Sequence, residues 1–278
     1  MRHHFKLSVI VFLIAFQNLA HAHHSSGHGM SGPSFNPITS VRTPKTIVGL
    51  GINADSLDSD QGYSVAYKIS GEYAVNSRWS LGAIVPVSTV RTTGLQHTGL
   101  ADLSLLAKGV LWQNLEEKIF LLGGTLVSVP TGNKNSGLGA GDVLVSPSLT
   151  VAKGLKRLNL FSSVGSSVAM TREVRPSLDY AVGSVVTLVP GEYPLEAVIS
   201  VQGSSIFGSN TFQNGSTKIY LSPALIFPMT TSSRLTVGGK FAVVDELKLK
   251  SGVVLSSNST ALFTDIRSSV FTNLDVFF

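Results

Sequence analysis

The segment Lys218–Phe227 reads KIYLSPALIF, and apolar and more polar residues alternate along it. One parity holds Ile219, Leu221, Leu225 and Phe227, and the other holds Lys218, Tyr220, Ser222 and Ala224. Successive side chains of a β-strand point to opposite faces of the sheet, so the pattern predicts a strand with one apolar face. Helical spacing at i, i+3 and i+4 does not fit this segment.

The same alternation recurs along the rest of the chain and gives twelve predicted strands. They span about 46–54, 62–75, 78–88, 100–113, 118–130, 140–153, 157–170, 177–189, 193–205, 215–228, 233–245 and 267–278. Most of these segments run to about 11–14 residues, whereas a strand of a soluble protein usually has about 5–6. A length near ten residues suits a tilted strand that crosses a membrane.

The connections between the predicted strands alternate in length. Short turns lie at 76–77, 114–117, 154–156, 190–192 and 229–232, and longer connections lie at 55–61, 89–99, 131–139, 171–176, 206–214 and 246–266. Bacterial outer-membrane barrels have short periplasmic turns and longer external loops. The sequence therefore predicts an all-β, transmembrane, antiparallel up-and-down barrel of about twelve strands. Both termini are expected to be periplasmic, in the outer membrane of a Gram-negative bacterium.

Composition excludes several other classes of protein. The 278 residues contain no cysteine, which excludes a disulfide scaffold and cysteine-ligated zinc sites. Only 13% of the residues are charged although 43% are hydrophobic, and mean hydropathy is +0.29. A net charge of +5 is too weak a bias to predict a nucleic-acid partner.

Charged residues within the predicted strands fall on the parity opposite to the apolar one. A lysine or arginine facing lipid at the midplane costs about 2–4 kcal/mol, so we assign the apolar parity to lipid and the charged parity to the lumen. The lumen-facing candidates for ion pairing or solute selectivity are Lys68, Glu72, Asp102, Lys108, Asp142, Asp179, Glu196, Lys218, Arg234, Lys240, Arg267 and Asp275. Apolar residues such as Phe161 and Val198 share this parity, so a narrow packed lumen and a pathway for an amphipathic solute both remain open.

Aromatic residues of the lipid-facing parity gather at one end of the predicted strands. Five candidates for an interfacial girdle, all at the periplasmic ends, are Tyr73, Trp79, Tyr193, Phe227 and Phe278. Three prolines conflict with a regular ladder, because proline cannot donate a backbone hydrogen bond to a neighbouring strand. We expect β-bulges, or strand ends, at Pro86, Pro147 and Pro223.

The amino-terminal region is predicted to lie outside the barrel, which we assign to residues 45–278. Residues 1–22 have the basic, apolar and small-residue order of a cleaved signal peptide. Residues 23–44 are rich in His, Gly and Pro, which predicts a flexible segment or a plug in the lumen. Within it, the candidate ligands for copper or zinc are His23, His24, His28 and Met30. No other cofactor is predicted.

Two motifs resemble a known family. The segment Gly99–Leu105 resembles the GlGDl-type motif of outer-membrane transporters grouped with the phenol meta-pathway (MetA-type) barrel proteins, although Ala101 replaces the usual glycine. Trp79–Gly82 with Pro86, and the Gly/Pro-rich stretch 32–37, are also similar. The terminal segment Leu274–Phe278 resembles the assembly signal of Gram-negative barrels. The resemblance implies a barrel of about twelve strands, a transport role and recognition of the last strand by the barrel-assembly machinery.

These features together predict a passive channel or transporter for a small, hydrophobic or amphipathic solute, with outer-membrane lipid as its surroundings. The alternative is a closed structural or binding barrel whose His-rich tail takes up metal. An enzyme is not predicted, since His97 is the one candidate base of the barrel region and no serine pattern marks a partner. Residues 131–137 contain Gly and Lys without the spacing of a phosphate loop, and we expect a mobile external loop there.

Overall fold

A computed structural model describes residues 44–57, 62–92, 95–170, 176–206, 213–249 and 266–278. Thirteen β-strands form one antiparallel sheet in this part of the chain. Their bounds are Ile47–Leu57 (β1), Tyr63–Ala74 (β2), Trp79–Thr92 (β3), Leu95–Leu100 (β4), Leu103–Asn114 (β5), Ile119–Val129 (β6), Leu144–Gly154 (β7), Leu158–Ala169 (β8), Ser177–Val189 (β9), Leu195–Ile206 (β10), Gln213–Thr230 (β11), Ser233–Leu249 (β12) and Ile266–Phe277 (β13). Within the same ranges, no helix has the length and apolar character to span a membrane.

The sheet closes on itself. Strand β1 pairs with β13 on one side and with β2 on the other, and β2 pairs with β3. Strand β3 pairs with β5 over its first half and with β4 over its second half, so β4 and β5 together occupy one position in the wall. The result is a closed, twelve-stranded, antiparallel β-barrel, which confirms the predicted fold class.

The two ends of the barrel differ in their connections. The end that carries 75–78, 115–118, 155–157, 190–194 and 231–232 is called the short-turn end, and the opposite end is called the long-loop end. Both ends of the described chain lie at the short-turn end, where the backbone N–H of Phe278 donates to the carbonyl of Thr46 at 3.1 Å. The chain therefore returns to its starting side after an even number of crossings.

Strand β11 shows how the sequence pattern maps onto the wall. Leu221 and Leu225 are each 40% exposed on the outer surface, whereas Tyr220, Ala224 and Ile226 of the other parity are buried. The same holds around the barrel. Many serines, threonines and charged residues are buried, whereas many large aliphatic side chains are exposed. A soluble sandwich has the reverse arrangement, with its apolar parity in the core.

The predicted loop 89–99 is wrong, because these residues form a β-hairpin. Strand β3 continues to Thr92 and turns into β4, with Val90 opposite His97. The run is rich in Thr, which favours strands, and the hydroxyls of Thr89 and Thr98 lie 2.9 Å apart across the hairpin. His97, predicted to lie in a loop, is therefore an exposed residue of β4.

Several other strand boundaries differ from the prediction. Strand β1 runs on to Leu57, so Asp55 lies in the barrel wall and not in a loop. Strand β7 begins at Leu144, so Asp142 lies in the preceding connection and not in a strand. Strands β11 and β12 extend to Thr230 and Leu249, beyond their predicted ends. In β1 and β12, polar residues that are typical of loops continue the strand at the long-loop end of the barrel.

The three prolines disturb the ladder in two ways. At Pro86 the pairing of β3 changes from β5 to β4. Strand β3 advances three residues from Ile84 to Val87, whereas the partner segment advances four residues from Leu100 to Ser104, so the partner contains one extra residue at this point. At Pro147 and Pro223 the expected bulges are absent. There the pairing with β8 or β12 is interrupted locally and resumes in the same register. Each of these prolines faces a gap on one side of its strand, where no N–H donor is needed.

Candidate functional site in the barrel lumen

A buried ion pair crosses the lumen-facing side of β2 and β5. Lys108 Nζ lies 2.8 Å from Glu72 Oε1 and 3.1 Å from Glu72 Oε2. Ser80 Oγ of β3 donates to Glu72 Oε1 at 2.7 Å. The side chains of Lys108 and Glu72 are only 5% and 12% exposed, so the pair is largely removed from water. A charge in such surroundings needs its partner, because desolvation is costly.

A second group of charges lies in the half of the lumen toward the long-loop end. Asp55 interacts electrostatically with Lys68 and Lys240, and Lys240 also interacts with Asp179. The Lys240 ammonium lies 4.2 Å from the centre of the Tyr220 ring, within the range of a cation–π contact. Ser177 Oγ and Ser167 Oγ donate to Asp179 Oδ2 at 3.2 and 3.4 Å. Both signs of charge thus lie on the lumen side of the wall at this level.

A third polar group lies at the short-turn end. The Phe277 ring lies 4.5 Å from Arg234 Cζ and 5.5 Å from Lys45 Nζ, measured to the ring centre. Arg234 is directly opposite Asp275 in the β12–β13 ladder, so the two side chains share the lumen face. The amide of Asn273 donates to Asp275 Oδ1. This arrangement joins the segment before β1 to the last two strands.

Part of the lumen wall is apolar. Ala152, Phe161, Val198, Ala224 and Ile226 form a buried cluster, and Val185 and Phe271 pack against it. These residues come from β7 to β11 and from β13, and they share the lumen parity of the charged residues. The lumen wall therefore presents both apolar surface and charged groups.

Two glycines leave room for the aromatic rings of this cluster. A Cβ atom at Gly183 would lie 2.6 Å from Phe161 Cζ and 2.7 Å from the Ile199 carbonyl oxygen. A Cβ atom at Gly238 would lie 2.5 Å from Phe271 Cζ. The absence of a side chain at both positions lets each ring lie against the barrel wall and keeps it out of the centre of the lumen.

We expect Gly183→Ala to lower the free energy of unfolding by about 1–3 kcal/mol, because the added methyl group meets a ring edge and backbone at once. Urea unfolding of the barrel in lipid vesicles measures the change. Gly71→Ala is the matched control, since nothing lies within 4 Å of a Cβ atom there. Equal stability of the two variants would contradict the packing described for Phe161.

The predicted lumen residues take up several environments. Asp102, Lys108, Asp142, Lys218 and Asp275 are buried. Partly buried positions are held by Lys68, Glu72, Asp179, Glu196, Arg234 and Lys240. Arg267 lies in β13, but its side chain is outside the described residues. The structure brings Glu72 and Lys108 together, and Lys68 and Asp179 with Lys240. A role of these residues in solute selectivity stays a prediction.

The predicted girdle aromatics are all on the exposed surface near the short-turn end. Their exposed fractions are 66% for Tyr73, 48% for Trp79, 48% for Tyr193, 36% for Phe227 and 82% for Phe278. The predicted metal ligands His23, His24, His28 and Met30 lie outside the described residues, as does most of the predicted segment 23–44. Among the residues that the structure does describe, there is no group of three or more His, Cys, Asp or Glu side chains suited to a metal ion.

Sequence reasoning missed Asp55, which is only 2% exposed and takes part in the charged group described above. The sequence did contain a signal for Asp55, because this residue continues the parity of Gly49, Gly51 and Asn53. Residues 55–61 were predicted to form a loop, so the predicted strand ended at residue 54, three residues before its observed end at Leu57. The cation–π contacts of Phe277 were missed as well, since sequence parity does not show which residues meet across a barrel end.

Comparison with known proteins supports the assignment of the fold. No protein-family model matches the chain, and no curated protein matches it. Solved structures do match. The COG4313 outer membrane channel from Pseudomonas putida F1 is similar with a TM-score of 0.66 and 15% identity, over 86% of this chain and 97% of that one. The NanC porin is similar with a TM-score of 0.54 and 10% identity, over 82% of this chain and 99% of that one.

The chain has the fold of an outer-membrane β-barrel. Both similar proteins are named as a channel or a porin, and nearly their whole length is matched. At these identities the likeness establishes the fold and not the solute. The resemblance of Gly99–Leu105 to the phenol meta-pathway barrel family stays a prediction, since no family model matches.

Proposed function

We propose that this barrel is a passive outer-membrane channel for a small amphipathic or hydrophobic solute. The observation that carries the proposal is the composition of the lumen wall, which places the apolar cluster around Phe161 and Val198 in the same enclosed space as Lys68, Asp179 and Lys240. A solute with an apolar body and a polar end would find a partner for each part. Small-molecule sites commonly combine an apolar lining with a few placed polar groups.

The outer surface supports a membrane environment. Large apolar side chains are exposed on all of the described strands except β6, including Ile69, Val182 and Ile199 at 56–59%. In water such a surface would aggregate, whereas acyl chains would cover it without penalty. The exposed aromatics at the short-turn end would then lie at a membrane interface, and the short connections at that end support a periplasmic location for it and for both termini.

The balance of charges argues for weak ionic selectivity. The predicted lumen residues comprise six basic and six acidic side chains. A pore that strongly prefers one sign of ion is expected to carry a ring of the opposite sign. The pairs that the structure shows, such as Glu72 with Lys108, use both signs to stabilise the wall. Selectivity by size and by polarity of the solute fits this lumen better.

A further part of the proposal concerns the assembly of the barrel. It is supported by the exposed carboxyl-terminal Phe278 and by the pairing of β1 with β13, which closes the sheet. The last strand would be recognised by the barrel-assembly machinery before the sheet closes. Transport in this proposal needs neither a catalytic group nor a resident cofactor. Lumen groups would lower the barrier for the solute by binding it weakly along its path.

Single-channel recording in planar bilayers tests the proposal. We expect the purified full-length protein to give discrete conductance steps, and proteoliposomes to admit small amphipathic solutes faster than sugars of the same size. Empty liposomes and liposomes with an unrelated closed barrel serve as controls. A protein that inserts into the bilayer, and gives neither conductance nor solute uptake, would instead support the closed structural barrel.

A further inference from the structure

The break between β4 and β5 contains a carboxylate that holds another segment of the chain. Asp102 Oδ1 accepts the backbone N–H of Gly132 at 2.9 Å, and Asp102 Oδ2 accepts the backbone N–H of Ala140 at 2.6 Å. Asp102 is 4% exposed. Both oxygens of one buried carboxylate therefore bind the two arms of the connection 130–143 between β6 and β7.

A threonine completes the attachment. Thr131 Oγ1 donates to the Ala101 carbonyl at 2.8 Å and accepts the backbone N–H of Leu103 at 2.9 Å. These two backbone groups flank Asp102, at the point where the strand is interrupted. The N–H of Ala101 bonds instead to the Pro86 carbonyl at 2.9 Å. The interruption of the strand thus frees a carbonyl and an N–H to hold the connection.

The connection is folded and lies on the lumen side of the wall. Asn133 caps a short 3₁₀ helix, Lys134–Ser136, and Gly137 follows in the left-handed conformation at φ 69°. Leu138 and Ala140 are 7% and 4% exposed. A Cβ atom on Gly99 of β4 would lie 3.0 Å from Leu138 Cδ1. Gly99 is opposite the buried Ser88 and shares its face, so Leu138 packs on the inner face of the β3–β4 hairpin.

The two arms of the connection touch at its base. A Cβ atom on Gly132 would meet Leu138 and the Cα of Gly139, and one on Gly139 would meet Asp102 Oδ1 and Gly132. Only glycine fits at either position. The expected loop at 131–137 lies in the connection between β6 and β7, where its residues fold compactly and are attached to the wall at one buried carboxylate.

We propose that the segment 130–143 is a constriction of the long-loop end of the lumen, and that Asp102 is the residue that holds it in place. The inference rests on the proposed channel function and deepens it, since the constriction would set the largest solute that passes. Asp102 acts here through the segment it positions, without contacting the solute. The role of the motif Gly99–Leu105 is then structural: Gly99 makes room for Leu138, and Asp102 binds the two arms.

Bilayer recording of Asp102→Ala, Asp102→Asn and Gly139→Val tests the constriction. We expect each variant to raise the single-channel conductance roughly twofold or more, because the narrowest part of a pore controls its resistance. Gly139→Val keeps the charge of Asp102 and displaces the segment by collision. A rise in Asp102→Ala without a rise in Gly139→Val would overturn the proposal and assign the effect to charge alone.

Deletion of residues 133–138 provides a second arm, since Gly132 and Gly139 already touch and can be joined. We expect this deletion to widen the pore and to abolish the effect of Asp102→Ala when the two changes are combined. An undiminished effect of Asp102→Ala in the deleted background would contradict the proposal. Heat-modified migration on gels confirms that each variant is a folded barrel.

A label on the segment separates the failure of this inference from the failure of the channel function. The chain has no cysteine, so Asn135→Cys carries the only nitroxide label. We expect a slow, restricted spectrum in the parent protein and a mobile one after Asp102→Ala. An unchanged spectrum would overturn the role of Asp102 even if the pore conducts. A mobile spectrum in a protein that never conducts would support the attachment and contradict the channel.

Discussion

Val182→Arg is expected to lower the free energy of unfolding of the barrel by about 2–4 kcal/mol, because it places a charge against acyl chains near the midplane. Val182 lies near the centre of β9 (Ser177–Val189) and is 58% exposed on the outer surface. No lumen group can reach it through the wall. The arginine therefore has to be desolvated or has to draw water and headgroups into the bilayer.

Leu188→Arg is the matched control for depth. Leu188 lies on the same face of the same strand, six residues toward the short-turn end, and is 49% exposed. There the arginine can reach headgroups, so the expected cost falls to about 0–1 kcal/mol. Urea unfolding in lipid vesicles, followed by the fluorescence of Trp79 and Trp112, measures both changes. Equal costs at the two depths would mean that the outer surface does not face lipid.

Glu72→Gln is expected to cost about 3–5 kcal/mol of unfolding free energy, because it removes the carboxylate from a buried lysine. Lys108 keeps its charge in surroundings where only 5% of its side chain is exposed. The amide of glutamine retains the shape of the side chain and an oxygen for Ser80. The loss therefore reports the charge interaction and not a cavity.

The double variant Glu72→Gln/Lys108→Met separates the ion pair from the two single changes. We expect it to cost less than the sum of the single variants by about 1–3 kcal/mol, since neither buried group is then left with an unmatched charge. Glu116→Gln in an exposed turn is the control and should stay within about 0.5 kcal/mol of the parent protein. Additive losses at Glu72 and Lys108 would contradict a coupled buried pair.

Both expectations follow from the alternation of lipid-facing and lumen-facing residues, which the sequence already contains. The parity of Lys218–Phe227 places Leu221 outward and Lys218 inward, and the structure has them so. A transmembrane strand leaves little freedom here, because each wrong face would expose a charge to lipid. Strand length, alternation and turn spacing were enough to predict the antiparallel order and the closure of the barrel.

Strand ends were harder to predict, for a physical reason. Asp55, Thr89 to Thr92 and Leu95 to Leu100 lie near the ends of the barrel, where polar residues are tolerated in strands and in loops alike. At those positions the choice depends on whether a neighbouring strand continues to offer hydrogen-bond partners. The pairing of Thr89 with Thr98 and of Asp55 with Ser269 supplies such partners, and no local pattern reports it.

The sequence by itself determined which faces meet lipid and lumen, how often the chain crosses, and that the ends come together, because these depend on a local period of two and on turn length. Only the tertiary structure decided which lumen groups meet. Glu72 and Lys108 are 36 residues apart, and Asp102 lies 30 and 38 residues from the two amides it binds. Such contacts arise from the register and curvature of the closed sheet, which bring distant strands onto one interior surface.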